Sequence, residues 1–253
     1  MLLPHAADDV TDADLDAAYA WPGWPAPQRW LRANMVSTVD GAARGPEGLS
    51  GAISSEADKR VFGRLRGLAD VVLAGAGTVR AEGYRPAREK PSFAERRRDA
   101  GQAPAPVIAV VSGSLHLDLS SELFSTPGSR PVVITRASSD PDLRRRVSEV
   151  ADVLVAGDDT VDLRTAVDQL NERGLVRIHA EGGPSLLGDL AAADLLDELL
   201  LTVSPVLAGG SYADGPEIPR ILAGAPLPDA PRPLSLVHVL DDHGTLFFRY
   251  TSG

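Results

Sequence analysis

The residues best placed to do chemistry in this chain fall in two glycine-bearing stretches and in a scatter of carboxylates and arginines around them. One stretch is Glu181-Gly182-Gly183-Pro184-Ser185-Leu186-Leu187. Residues 175–180 before it read as a short buried strand, and Leu186, Leu187 and Leu190 recur at helical spacing straight after. The glycines allow a sharp turn or close approach to a ligand. Pro184 suits a first helical position, where its missing N–H would be unpaired anyway. A strand, a glycine turn and a helix start make a phosphate cradle, because free N–H groups point outward and the helix dipole favours an anion. Taken alone, the stretch is equally a tight turn with no ligand. The run from Asp70 repeats the arrangement, with a strand over 70–74 and a turn of Gly75, Gly77 and Thr78. Two such units in one chain favour a dinucleotide.

Three other groups of residues have a structural reading, and two of them a functional one beside it. Asp58 precedes Val61 and Phe62 by three and four positions, so it projects along the inward face of a helix over 56–68 capped by Ser54 or Ser55. It is either a first-turn aspartate favoured by the helix dipole or a substrate contact, since a buried carboxylate needs a partner. Asp40 opens an Asp-Gly turn, which is a structural role in its own right. Residues 83–105 carry Arg85, Arg88, Lys90, Arg96, Arg97 and Arg98 and read as a solvated basic insertion, with Arg85 and Arg88 near enough to a cleft to suit a phosphate.

The elements that must position these groups alternate. Strands are expected over 29–37, 70–74, 106–112, 130–135, 153–156 and 175–180, with helices over 56–68, 141–150 and 162–173. Short βα alternation implies a mostly parallel sheet covered on both faces. After residue 194 the pattern changes to strands over 198–206, 234–240 and 246–250, the last two joined by the Asp241-Asp242-His243-Gly244 turn as an antiparallel hairpin. The fold class is therefore a three-layer α/β/α with a mixed sheet. Residues 1–27 form an acidic, proline-rich arm with a helix over 12–20, packed down by Trp21 and Trp24; 28–253 form one domain, with a loop or dimer-contacting excursion over 207–233.

Composition narrows the function. The chain has 253 residues, 43% of them hydrophobic, enough for a sizeable core. No cysteine is present, which excludes disulfides and thiolate metal sites and makes a cytoplasmic protein the natural reading. A formal charge of −10 argues against nucleic acid or an anionic membrane as partner, while leaving a small anionic ligand open. The histidines are scattered without metal-ligand spacing, so no metal is expected. The absence of a Gly-x-Ser-x-Gly elbow speaks against a serine hydrolase.

Ser37-Thr-Val-Asp-Gly41, Gly48-Leu-Ser50, Arg64-Leu-Arg66, Asp70 to Val79, Glu181 to Leu187, Asp197-Glu-Leu199 and Ser204-Pro205 follow in an order that resembles the riboflavin-biosynthesis pyrimidine reductases, the C-terminal half of the bifunctional deaminase–reductase. The likeness spans about residues 29–250. It implies a dihydrofolate-reductase-like fold, a homodimer, NADPH as hydride donor and 5-amino-6-(5-phosphoribosylamino)uracil as substrate. The deaminase half's His-x-Glu and Cys-x-x-Cys zinc signature is missing. By the resemblance, Val36, Asp40, Gly75, Gly77, Thr78 and Glu82 face the cofactor. Gly182 also binds the cofactor, and the turn of Gly183, Pro184, Ser185, Leu186 and Leu187 holds its pyrophosphate, with Ser112 or Ser114 beside it. Thr135 and Arg136, from charge and strand-end placement, suit the 2′-phosphate. Ser50, Arg66 and Glu181 match substrate contacts, Arg85 or Arg88 joins Arg66 on the ribose phosphate, and Glu82 acts in catalysis. The chain departs from the pattern at Glu82-Gly-Tyr-Arg-Pro-Ala-Arg88, at Ala52 and at Asp58, changes that also occur together in what looks like an actinobacterial side branch. Asp58 offers a second reading, a pterin reductase gripping the pteridine edge with its carboxylate. A third is a catalytically silent NADPH- or pterin-binding regulator.

Overall fold

The computed structural model describes residues 10–23, 29–128, 130–209, 218–224 and 226–252. In chain order the elements are α1 (Asp12–Ala18), β1 (Trp30–Thr38), a 3-10 turn (Ser50–Ile53), α2 (Glu56–Leu68), β2 (Val71–Gly75), α3 (Ala76–Ala81), α4 (Pro91–Asp99), β3 (Val107–Val111), α5 (Glu122–Ser125) and β4 (Val132–Thr135). There follow α6 (Pro141–Ser148), β5 (Asp152–Val155), α7 (Leu163–Glu172), β6 (Arg177–Ala180), α8 (Pro184–Ala192), β7 (Glu198–Ser204), β8 (Leu234–Asp242) and β9 (Thr245–Ser252).

The sheet runs β5-β4-β3-β2-β6-β1-β7-β9-β8. From β5 to β7 every pair is parallel, and β9 lies antiparallel to both of its neighbours. Strand alternation divides the core between the faces. Val71 and Leu73 of β2 pack with Val167 and Leu170 of α7 and Leu187 and Leu190 of α8. Val72 and Ala74 point the other way, with Val79 of α3 and Val147 of α6. Beyond them, Val61, Leu65 and Leu68 of α2 meet Leu15, Tyr19, Phe93, Leu200 and Phe247. Burying each Leu or Val of this kind stabilises by roughly 1.5–3 kcal/mol. The three-layer mixed-sheet architecture expected from the sequence is present.

Local chemistry explains the boundaries. Ser55 caps α2, its hydroxyl accepting from the Asp58 N–H at 3.1 Å; Ser54, the other candidate, hydrogen-bonds the Asp58 carboxylate instead. The hairpin turn is tighter than the four residues expected. His243 and Gly244, at φ +50° and +86°, alone separate β8 from β9, a pair of positive φ values that matches the twist of a two-residue turn. Helix α1 stops at Ala18, and Trp21 beyond it donates its Nε1–H to the Leu68 carbonyl at 2.8 Å with its ring 3.7 Å from the Arg32 guanidinium. Trp24 lies outside the described residues.

The basic insertion is not simply solvated. It contains α4, which buries Phe93 and Arg97. Arg97 Nη1 donates to the carbonyls of Gly67 and Ala69 at 2.9 and 2.7 Å, satisfying acceptors left over where α2 ends. Arg32, fully buried, is held the same way by Tyr19 O at 2.7 Å and by Glu198 at 3.1 Å; burial brings its pKa down to about 10.

Candidate active site

Strand β6 inserts between β1 and β2, and the chain order reverses across it. In open α/β sheets the crevice at the carboxyl ends of such strands is where ligands bind. Here the ends of β1, β2 and β6, together with α2 and the loops after β1 and α3, enclose a cavity of roughly 820 Å³.

The two glycine junctions are joined side by side across one wall. Glu181 N donates to Leu73 O, and Gly75 N to Gly182 O, both at 2.9 Å. Gly182 sits at φ +80°, and a Cβ there would lie 2.8 Å from Met35 Sδ; one on Gly183 would lie 2.8 Å from Thr78 Oγ1. Glycine is thus favoured at 182 by its positive φ, and at both positions by the side chains packed against it. Gly75, Gly77, Thr78, Gly183, Pro184, Ser185 and Leu186 all line the cavity. Helix α8 begins at Gly183 with no side-chain cap, so its leading N–H groups are not spent on a neighbouring side chain.

The opposite wall is made of side chains. Asp58, Phe62 and Arg66, four residues apart on α2, face the cavity, while Val61, Leu65 and Leu68 turn into the core. Arg66 forks onto Glu181, Nε to Oε1 and Nη2 to Oε2, each at 2.6 Å. The Tyr84 hydroxyl donates to the same Oε2. The guanidinium lies over the rings of Phe62 and Tyr84, 4.5 and 5.0 Å from their centroids. Burial works against the Arg66 charge, but the Glu181 carboxylate outweighs it and the pKa rises. Burial, and then the Glu181 charge, push the Tyr84 phenol well above its usual range. Behind them His179 is fully buried, with Nε2 3.5 Å from Glu181 Oε1. Burial, with the charges of Arg32 and Arg66, holds it well below the ordinary histidine value, so the imidazole is neutral. At the mouth, Glu82 Oε1 accepts from both the N–H and the Oγ–H of Ser50, each at 2.9 Å.

Of the other residues expected in the site, Val36 and Arg85 line the cavity, Arg85 from its exposed rim with Glu122 3.2 Å away. Arg88 is exposed outside it. Asp40 is not part of the lining: its carboxylate accepts from Thr38 Oγ1 and from the N–H groups of Ala208 and Gly209, tying the turn after β1 to the chain after β7. These bonds, Thr38 first, hold its pKa below the usual carboxylate value. Ser112 and Thr135 are buried beyond the lining, Ser112 accepting from Leu115 N at 3.1 Å. Arg136 is turned onto the carbonyls of Gly113 and Asp159. Leu187 belongs to the core, and Gly182 acts through its backbone bond to Gly75. Sequence reasoning missed Asn34, Met35, Phe62 and Tyr84 as lining residues. The four-residue spacing of 58, 62 and 66 would have disclosed Phe62; nothing local marks Tyr84.

Comparison with known proteins agrees with this architecture. The model of the RibD C-terminal domain matches residues 29–225. The 2,5-diamino-6-ribosylamino-4(3H)-pyrimidinone 5′-phosphate reductase of Archaeoglobus fulgidus is 29% identical, over 70% of this chain and 80% of that protein. The reductase of the same name from Methanothermobacter thermautotrophicus is 31% identical, over 71% and 79%. Among solved structures, a pyrimidine reductase-like protein from Corynebacterium diphtheriae superposes with a TM-score of 0.78 at 28% identity, covering 88% of this chain and 91% of that one.

Proposed function

This chain belongs to the RibD C-terminal domain family, and on that premise we propose that it is an NADPH-dependent reductase of a 6-(phosphoribosylamino)pyrimidine in riboflavin biosynthesis, converting the ribosyl group to ribityl. The observation that carries the reading is the meeting of the two glycine junctions, with Thr78 and Ser185 in one cavity alongside Arg66 and Glu82. A nicotinamide dinucleotide fits that wall. The uncapped start of α8 offers N–H groups to a pyrophosphate, and the Thr78 hydroxyl stands beside Gly183.

When bound, the cofactor supplies the hydride. The remaining work falls to side chains. The sugar carbon bonded to nitrogen must be presented in its imine-like form, and the adjoining nitrogen must gain a proton as the carbon gains hydride; water reaching the open cavity serves as the proton source. Among the described residues, the fork onto Glu181 leaves Arg66 Nη1 without a hydrogen-bond partner, a fixed donor for a carbonyl or phosphate oxygen. Arg85 at the rim suits the substrate phosphate. Asp58, with Ser54 on one oxygen, accepts from an N–H of the pyrimidine. Ser50 and Glu82 border the reacting end, where the carboxylate favours developing positive charge. The positive charge of Arg136 after β4 supports NADPH over NADH in this reading. A homodimer and a cytoplasmic location belong to the same proposal; exposed Leu234, Leu236 and Val237 on edge strand β8 support association.

The test is purified protein with NADPH and, in turn, 5-amino-6-(5-phosphoribosylamino)uracil, its 2-amino pyrimidinone counterpart and a dihydropterin, followed at the nicotinamide absorbance. Oxidation with either pyrimidine is expected. Oxidation with the pterin alone, or with none, overturns the reading.

A further inference from the structure

Glu181 matches a substrate contact by sequence, yet its carboxylate is already engaged. It accepts from Arg66 Nε and Nη2 and from the Tyr84 hydroxyl, and its side chain is 2% exposed. What position 181 shows to the cavity is chiefly main chain. The group held by those bonds does reach the cavity: Arg66 is 27% exposed, and both atoms of its fork are spent, leaving Nη1 unbonded among the described residues.

Tyr84 contributes twice to this arrangement. Its hydroxyl fixes the carboxylate that fixes the guanidinium, and its ring centroid lies 5.0 Å from that guanidinium, with the Phe62 ring at 4.5 Å. Tyr84 is also two residues beyond Glu82 and adjacent to Arg85, both of which line the cavity. Its buried ring is therefore the anchor of the segment that carries them. Contact with two aromatic rings and a bidentate carboxylate leave the guanidinium little rotational freedom.

We propose that Tyr84 is a positioning residue for substrate, acting through Glu181 on Arg66, and that Glu181 orients Arg66 without itself touching substrate. The inference rests on the reductase reading above. Its chemical consequence is that the ligand offers an acceptor oxygen, carbonyl or phosphate, to Arg66 Nη1, and that no donor group of the ligand pairs with the Glu181 carboxylate.

A double-mutant cycle tests this. Tyr84→Phe keeps the ring and removes only the hydroxyl. Glu181→Gln keeps shape but replaces one acceptor oxygen with a donor, which breaks the fork. Each single change should raise the substrate KM about tenfold with kcat within about threefold, the size expected for losing a hydrogen bond to a charged group. On the Glu181→Gln background, Tyr84→Phe should have less than half the effect it has alone, because the hydroxyl works chiefly through the carboxylate. NADPH affinity, read by fluorescence titration, should stay unchanged in all three and reports that the variants fold. Additive effects, or a Glu181→Gln change that lowers kcat a hundredfold at unchanged KM, overturn the inference while the wild-type rate leaves the reductase reading standing. A wild type inactive on every pyrimidine removes both.

Discussion

The two walls of the cavity are made of different material. The junction wall, where β2 and β6 end, is mostly backbone: two hydrogen bonds between glycine turns and two glycines where a Cβ would collide. The facing wall is side chain throughout, with Arg66, Glu181 and Tyr84 locked together and Ser50 bonded to Glu82. A backbone wall suits a ligand recognised by its phosphates, which any polypeptide can bind through N–H groups. A side-chain wall suits a ligand whose ring substituents must be read individually. The difference predicts that damage to one wall should leave the other's ligand largely unaffected.

Arg66→Ala is the most severe test. It leaves Glu181 buried without its cation, which should cost about 3 kcal/mol, or a Tm decrease of roughly 6–12 °C. Substrate turnover should disappear while NADPH titration still saturates near the wild-type affinity; joint loss of both would mean that the walls are not separable. Gly182→Ala attacks the other side. A side chain at φ +80° against Met35 is strained, for about 2 kcal/mol of stability, and NADPH affinity should fall at least tenfold with a smaller change in the substrate KM.

His179 sits behind the side-chain wall and gives a pH signature. Its folded pKa lies below the ordinary value of 6.5, so on acidification the unfolded chain takes up the proton first. Its contribution is constant above about pH 6.5 and is lost as pH falls below it, by up to about 1.4 kcal/mol per pH unit. Denaturant melts of the wild type and His179→Asn between pH 7.5 and 5 should show the variant with the flatter acid limb. The smallest effect belongs to Ser50→Ala, which removes one of two bonds to an exposed Glu82. Stability should move by less than about 0.5 kcal/mol, while the substrate KM rises about threefold.

What could be read from the sequence depended on how local its cause was. Helix α2 begins and ends where expected, because a serine cap and a 3.6-residue apolar period lie within the segment itself. The βα alternation, the glycine junctions and the C-terminal hairpin were visible for the same reason. Arg97 looked like a solvated charge because the carbonyls it satisfies belong to the end of another helix. Asp40 reads locally as a turn residue, and what its carboxylate holds was not legible because those N–H groups are 168 and 169 residues away. Thr135 stands at a strand end, as a ligand contact would, yet its side chain is buried.

The chain by itself determined the order of its elements and the two turns at which a dinucleotide can lie against bare backbone, since spacing, capping and glycine act over a few residues. Tertiary structure decided which charges are free to meet a ligand. Arg66 and Glu181 are separated by 115 residues, and only the insertion of β6 beside β2 makes them partners. A charged side chain's role depends on what neutralises it, and that neighbour is chosen by the sheet.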